Sequence, residues 1–191
     1  MSNIFRFIAL VSAVAISACA SKPPDVEFHR ATSGVQTIAV LSPAMPEQPT
    51  IFALSGATPL GALFGPLGAL ADNKIQEGRA ADYAGALAGH GYSLQTVLTQ
   101  DITAELQKDG FTVSSVSVAH PGSAFLATYP VASGAHADAY LDVVVINYGY
   151  MAGAITAPYH PLLGLQYRLV RASDGVTLMQ VTSAIPISEM T

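Results

Sequence analysis

The run SLQTVLTQDITAELQKDGFTVSSVSV, residues 93–118, decides the fold class, because one helix and one strand follow each other in it with a single glycine between them. Leu94, Val97, Leu98, Ile102 and Leu106 recur at three- and four-residue spacing, which makes one apolar stripe on a helix. Ser93 is a good N-cap. Lys108 stands in the last turn, where a cation suits the helix dipole. Gly110 supplies the stop. Phe111 to Val118 then reads as a strand. Its alternation changes phase at Ser114-Ser115, where a bulge would fit.

Outward from this unit the signals are strands. Val35 to Leu41 (VQTIAVL) is short, β-branched and stopped by Ser42-Pro43, which reads as a buried strand. Tyr140 to Tyr150 (YLDVVVINYGY) reads as a long central strand with Val143 to Ile146 as its buried middle. Leu163 to Ala172 and Val176 to Ser183 flank Ser173-Asp174-Gly175, a hairpin signal with glycine in the left-handed position. Leu165, Tyr167, Leu169 and Arg171 take one face of the first hairpin strand, and Gln166, Arg168 and Val170 take the other. Residues 119–135, rich in Pro, Gly and Ser, read as a loop. The sum is an α+β sandwich: one mixed sheet of about five strands, with helices mainly on one face. No internal repeat is present.

Between the first strand and the helix lies an insert rich in glycine and proline, at about residues 48–92. No charged residue occurs from Gln48 to Ala71. Prolines at 49, 59 and 66 argue against a straight membrane-spanning helix, so the insert reads as a glycine-rich loop and a short helix packed on the sheet. Gly61 with Gly65, and Gly85 with Gly89, repeat small residues at a spacing of four. Such spacing lets two helix backbones approach closely, and these four glycines are the candidates for self-association.

The amino terminus has a different character. Met1 to Arg6 is short and carries one positive side chain. Phe7 to Ala18 is a 12-residue apolar run, long enough for a signal-peptide core and too short to span a bilayer. It ends in Ile16-Ser17-Ala18-Cys19, which resembles the bacterial lipobox. The resemblance implies that signal peptidase II removes residues 1–18 and that Cys19 carries acyl chains. Each buried CH₂ contributes ~0.8 kcal/mol, and two chains already anchor stably. Cys19 is the only cysteine, so no intramolecular disulfide and no paired-cysteine metal or redox site can form. Residues 19–34, polar and proline-bearing, read as a lipidated tether, and 35–191 as a single domain. Ala20 after the cysteine, in place of an aspartate, points to the outer membrane, facing the periplasm.

Four segments in order resemble the superfamily of the TolB amino-terminal domain and the curli-secretion lipoprotein. They are Ile38-Ala39-Val40-Leu41, Gly110-Phe111-Thr112-Val113, Ala137-Asp138-Ala139, and Leu169-Val170-Arg171-Ala172-Ser173-Asp174-Gly175. The resemblance covers residues 35–183 and implies an α/β envelope domain. Arg171 stands where that superfamily often has an acidic residue, and the chain stops soon after its last strand without a closing helix. Pore formation is therefore not carried over.

Composition narrows the function classes. A net charge of −5 argues against a binder of the nucleic-acid phosphate backbone, which needs a basic face. Charged residues make up 11%, against ~25% in ordinary globular proteins, and mean hydropathy is +0.42. No HExxH, GxSxG or phosphate-binding loop occurs. His29, His90, His120, His136 and His160 are scattered. His136 and Asp138 alone do not make a metal site. Asp138 reads as the cap of the turn into the central strand, and Tyr148, Tyr150, Tyr159 and Tyr167 as half-buried packing. The expectation is a protein without catalytic residues, metal or cofactor. It is anchored to the membrane through Cys19 and bound to a protein partner or to itself. The alternative is a tethered carrier of a small apolar ligand.

Overall fold

The computed structural model describes residues 26–53, 59–129, 137–152 and 157–184, with the backbone alone over 52–53, 59–73 and at 184. Among the described residues six strands are formed: β1 (Thr37–Leu41), β2 (Thr50–Ala53), β3 (Thr112–Val116), β4 (Ala139–Ala152), β5 (Tyr159–Arg171) and β6 (Thr177–Ala184). The helices are α1 (Arg30–Ser33), α2 (Pro59–Gly89) and α3 (Leu94–Lys108). The strands make one mixed sheet in the order β3-β1-β4-β5-β6. β1 pairs parallel with β3 and β4, while β4–β5 and β5–β6 are antiparallel. β4 has 14 residues, enough to hold β1 along its first part and β2 along its last, where Thr50 faces Gly149 and Ala53 faces Ala152. The α+β class, with one mixed open sheet, is the one the sequence implies.

Period-two burial separates the two sheet faces. Ile38, Val40, Leu141, Val143 and Val145 point into one core together with Leu98 of α3, Phe111, Leu165 and Leu169. Ala39, Leu41 and Tyr140 point the other way, against Val116, Val118, Leu126 and Tyr129. Among the described residues the second face is therefore covered by the segment 117–129 and not by a helix. Burying a Leu, Ile or Val side chain contributes about 1.5–3 kcal/mol, so the fully buried Ile38, Val40, Leu41 and Val143 to Val145 dominate the folding drive.

Local signals place α3 and the hairpin where the sequence puts them. Ser93 Oγ accepts from Thr96 N, and Gly110 (φ +83°) and Gly175 (φ +73°) take left-handed conformations at the helix stop and the turn. Three expectations change. The insert is not a loop with a short helix; α2 runs for 31 residues. Pro59 occupies its first position, where a fixed φ and a missing N–H are harmless, and the helix is rich in alanine and leucine, strong helix formers. The bulge does not fall at Ser114-Ser115. β3 is a mostly exposed edge strand paired with β1 in unbroken register, and the register shifts lie at Val145/Asn147 and Leu169/Val170. Residues 26–34, which from sequence end the tether, lie against the body. Val26 bridges to Gln180, Phe28 meets Phe111 at 6.4 Å, and the Arg30 guanidinium stacks on Phe111 at 4.2 Å.

Asp138 clamps β1 to β4. Its Oδ2 accepts from Gln36 N (2.9 Å), Thr37 N (2.8 Å) and Thr37 Oγ1 (2.9 Å). These donors, the Gln36 amide foremost, hold its pKa below the usual carboxylate range. A lowered folded pKa means stability that is present at neutral pH and lost as pH falls through the folded value. Asp138→Ala is expected to lose about 1–2 kcal/mol at pH 7. Its penalty shrinks as the medium is acidified below about pH 4. Urea unfolding at pH 7 and pH 3 measures both.

Candidate functional site

Two constructions on opposite sheet faces are candidates. The first is an apolar cleft. α3 covers only part of the first face, and its stripe stands off from β5 and β6. Leu98, Ile102 and Leu106 form one wall, Leu163, Leu165 and Met179 another, and Phe28 closes it from the amino-terminal side. The cleft holds about 540 Å³, inside the range of small-molecule sites. Asp101, Glu105 and Asp109 lie at its margin, with Lys108 paired to Glu105 at 2.9 Å. Burial raises the Tyr167 pKa, keeping that lining hydroxyl neutral. The arrangement suits an apolar body and disfavours a carboxylate or phosphate at the mouth.

The second is a buried polar cluster. Asp142, in the middle of β4, is 0% exposed. Its Oδ2 accepts from Leu126 N (2.9 Å) and Tyr129 Oη (3.2 Å). Its Oδ1 accepts no hydrogen bond among the described residues and lies 3.7 Å from His120 Nε2. Each His120 ring nitrogen faces a carbonyl oxygen: Nδ1 that of Ala124 at 3.1 Å, Nε2 that of Ser42 at 3.0 Å. A neutral ring satisfies one of these acceptors and a doubly protonated ring both. Burial pushes the Tyr129 pKa up to about 12, and the Asp142 charge adds to this while Arg168 opposes it. The Tyr129 ring stacks on Tyr140 at 5.9 Å. The Arg168 guanidinium stacks on Phe125 at 4.1 Å, and its Nε donates to Gln180. The His120 side chain is only 5% exposed, so the pair is closed off from solvent. It works as a latch that ties the segment 117–129 to the sheet.

The positions expected from sequence fall in different places. Ile16, Ser17, Ala18 and Cys19 lie outside the described residues, as does His136. Gly61, Gly65, Gly85 and Gly89 all belong to α2, but not to one stripe. At 3.6 residues per turn the second pair is rotated about 120° from the first. Around Gly61 and Gly65 the helix backbone alone is described. At Gly78, Gly85 and Gly89 a Cβ would meet nothing within 4 Å, so the fold itself does not require glycine there. Gly85→Ala is expected to stabilise the domain by about 0.5–1 kcal/mol, read as a rise in thermal midpoint. Tyr148 and Tyr150 lie beside Tyr83 of α2, Tyr159 accepts from Arg79 of the same helix, and Tyr167 lines the cleft. Tyr83 meets Tyr150 edge-on at 5.3 Å. Burial raises the Tyr83 pKa, as do the neighbouring Tyr150, Tyr92 and Tyr148 hydroxyls. Sequence reasoning missed the His120–Asp142 pair. The signal was a single carboxylate inside a β-branched run, because a buried charge demands partners.

No helix among the described residues is long and apolar enough to cross a membrane. The chain matches no protein-family model and no curated protein. Solved structures similar to it include the following two. One is protein XCC0632 from Xanthomonas campestris, of family DUF330, at 12% identity and a TM-score of 0.40. That match covers 78% of this chain and 65% of the other, so the chain spans under two-thirds of that protein. The second is lipoprotein GNA1162 from Neisseria meningitidis, at 17% identity and a TM-score of 0.33, covering 78% and 81%. Similarity at this level assigns neither family nor activity.

Proposed function

We propose that this chain is a lipid-anchored envelope lipoprotein whose domain acts by binding proteins, itself included, and not by catalysis. One observation carries the proposal: Ile16-Ser17-Ala18-Cys19 closes a 12-residue apolar run and contains the chain's only cysteine. Such a thiol, left free in an exported protein, is an oxidation liability, and acylation removes it. The TolB-like order of segments fits an envelope role, and Ala20 favours the outer membrane with the domain facing the periplasm. The open helix surface around Gly85 and Gly89 supports self-association. The experiment is intact mass of the mature protein. A chain beginning at residue 19 and carrying acyl mass agrees with the proposal; one beginning at Met1, or with a free thiol, overturns it. For self-association, Gly85→Leu with Gly89→Leu should lower the particle mass in detergent, and an unchanged mass argues against that face.

The apolar cleft favours a second reading, a tethered carrier of a small apolar ligand that is uncharged at the mouth. Native mass spectrometry of freshly purified protein would show the ligand, and Ile102→Asp should abolish its retention. A bare protein mass in every preparation overturns this reading.

A further inference from the structure

β3 is an edge strand whose outer side is open. Thr112 N donates to Gln36 O at 2.9 Å, and Ser42 N donates to Val116 O at 3.0 Å. The backbone groups of Thr112, Ser114 and Val116 therefore turn towards β1, and those of Val113 and Ser115 turn outward. Among the described residues the outward N–H and C=O groups of Val113 and Ser115 have no hydrogen-bond partner. The segment that follows β3 turns inward across the second face: His120 Nε2 lies 3.0 Å from Ser42 O, and Leu126 N donates to Asp142 Oδ2. The opposite edge of the sheet differs. There Gln180 of β6 exchanges both backbone bonds with Val26, at 2.9 and 3.1 Å.

An open edge invites pairing with another chain, and proteins that stay monomeric guard it with a charge, a proline or a bulge. β3 reads TVSSV and has none of the three; its register with β1 is unbroken. Thr112, Ser114 and Ser115 are exposed. α3 packs over this strand and turns an uncharged flank to the same side. At about 100° per residue, Thr99, Thr103 and Gln107 lie opposite Asp101 and Glu105, which border the cleft towards β5 and β6.

We infer that β3 pairs antiparallel with β3 of a second copy of this chain, about a two-fold axis that passes between Ser114 and its counterpart. The inference rests on the self-association proposed above and names a strand-edge contact for it. In this register Val113 faces Ser115 of the second copy, and Ser115 faces Val113 of the second copy. Each pair exchanges two hydrogen bonds, so every outward group of both strands is satisfied. The two Ser114 residues meet in a pair without hydrogen bonds, with Cα atoms about 4.5 Å apart. The edge suits its own image because the same two residues supply donors and acceptors in equal number on both sides of the axis. No charge on β3 or on the α3 flank opposes itself across that axis.

The test is disulfide trapping in the full mature chain, purified in detergent. Ser114→Cys sets two thiols across the axis on Cα atoms about 4.5 Å apart, inside the span that a disulfide bridges. Ser115→Cys sets them diagonally, about 7–8 Å apart, where the bond does not form without backbone movement. Under mild oxidant Ser114→Cys should run chiefly as a disulfide dimer and Ser115→Cys as a monomer, and the parent chain reports any contribution from Cys19. Both serines are exposed and their hydroxyls bond to no described residue, so neither variant threatens the fold. Ser114→Glu opposes two carboxylates across the axis and should weaken dimerisation about fivefold. Equal trapping at both positions, no trapping at 114, or an unchanged dimer in Ser114→Glu would overturn the pairing. A dimeric mass of the parent in detergent without trapping at 114 would overturn the strand contact and leave self-association standing on another face. A monomeric parent would overturn both.

Discussion

Replacing Asp142 with alanine is expected to lower the unfolding free energy by about 3–5 kcal/mol. The carboxylate is wholly buried and holds two donors from the segment that covers the second sheet face. Alanine leaves the Leu126 amide and the Tyr129 hydroxyl without an acceptor, and each buried orphan costs about 1–3 kcal/mol. It also removes the carboxylate oxygen that lies 3.7 Å from His120 Nε2. The segment then loses its tie, and Leu41 and Tyr140 lose the cover provided by Leu126 and Tyr129. A domain of this size has about 5–15 kcal/mol in all, so the variant is expected to unfold partly at 37 °C. Asp142→Asn keeps an acceptor oxygen for Leu126 and is expected to cost about 1–2 kcal/mol. Urea unfolding of the two variants at pH 7 checks the ranking. An alanine variant within about 1 kcal/mol of the parent would show that the latch is not structural.

Asp142 also shows where the sequence stops being legible. A carboxylate inside YLDVVVINYGY announces a buried charge, but its partner sits 22 residues earlier, in a loop whose path no periodicity encodes. The unit 93–118 was legible because its signals are local: a cap, a stripe, a stop and a β-branched run. The hairpin was legible for the same reason. β2 was not, since four residues, Thr50–Ala53, are too few to display an alternation. α2 was hidden by glycine and proline, which weigh heavily in any single window. A helix of 31 residues averages over them, and one of its prolines occupies the first position. The cleft was half legible. The stripe on α3 gives one wall; the gap to β5 and β6 depends on how little of the sheet one helix covers, which is a tertiary quantity. The anchor proposed at Cys19 rests on local sequence alone, whereas the docking of residues 26–34 on the body needed tertiary contacts such as the Val26–Gln180 bridge.

Gly149→Ala is expected to detach β2 from β4 at a cost of about 2–4 kcal/mol. Gly149 has φ +137°, a conformation that L side chains rarely adopt. A Cβ there would collide with the Thr50 carbonyl oxygen and lie 3.0 Å from its carbonyl carbon and 3.1 Å from its nitrogen. Those atoms belong to the paired backbone of β2, so they cannot move aside as the end of a flexible side chain would. β2 must shift bodily, and the seat of α2 shifts with it, because Gln76 and Ala80 line a pocket with Thr50 and Ile51. The loss should be local. Hydrogen exchange is expected to speed up in β2 and in residues 76–83, while β1, β5 and α3 keep their protection. The opposite sign expected for Gly85→Ala, on the same helix but in open space, separates a glycine that the fold requires from one that it tolerates. If Gly149→Ala left β2 protected, the close approach of the two backbones would be wrong. The seat of α2 beside β2 would then lose its structural basis.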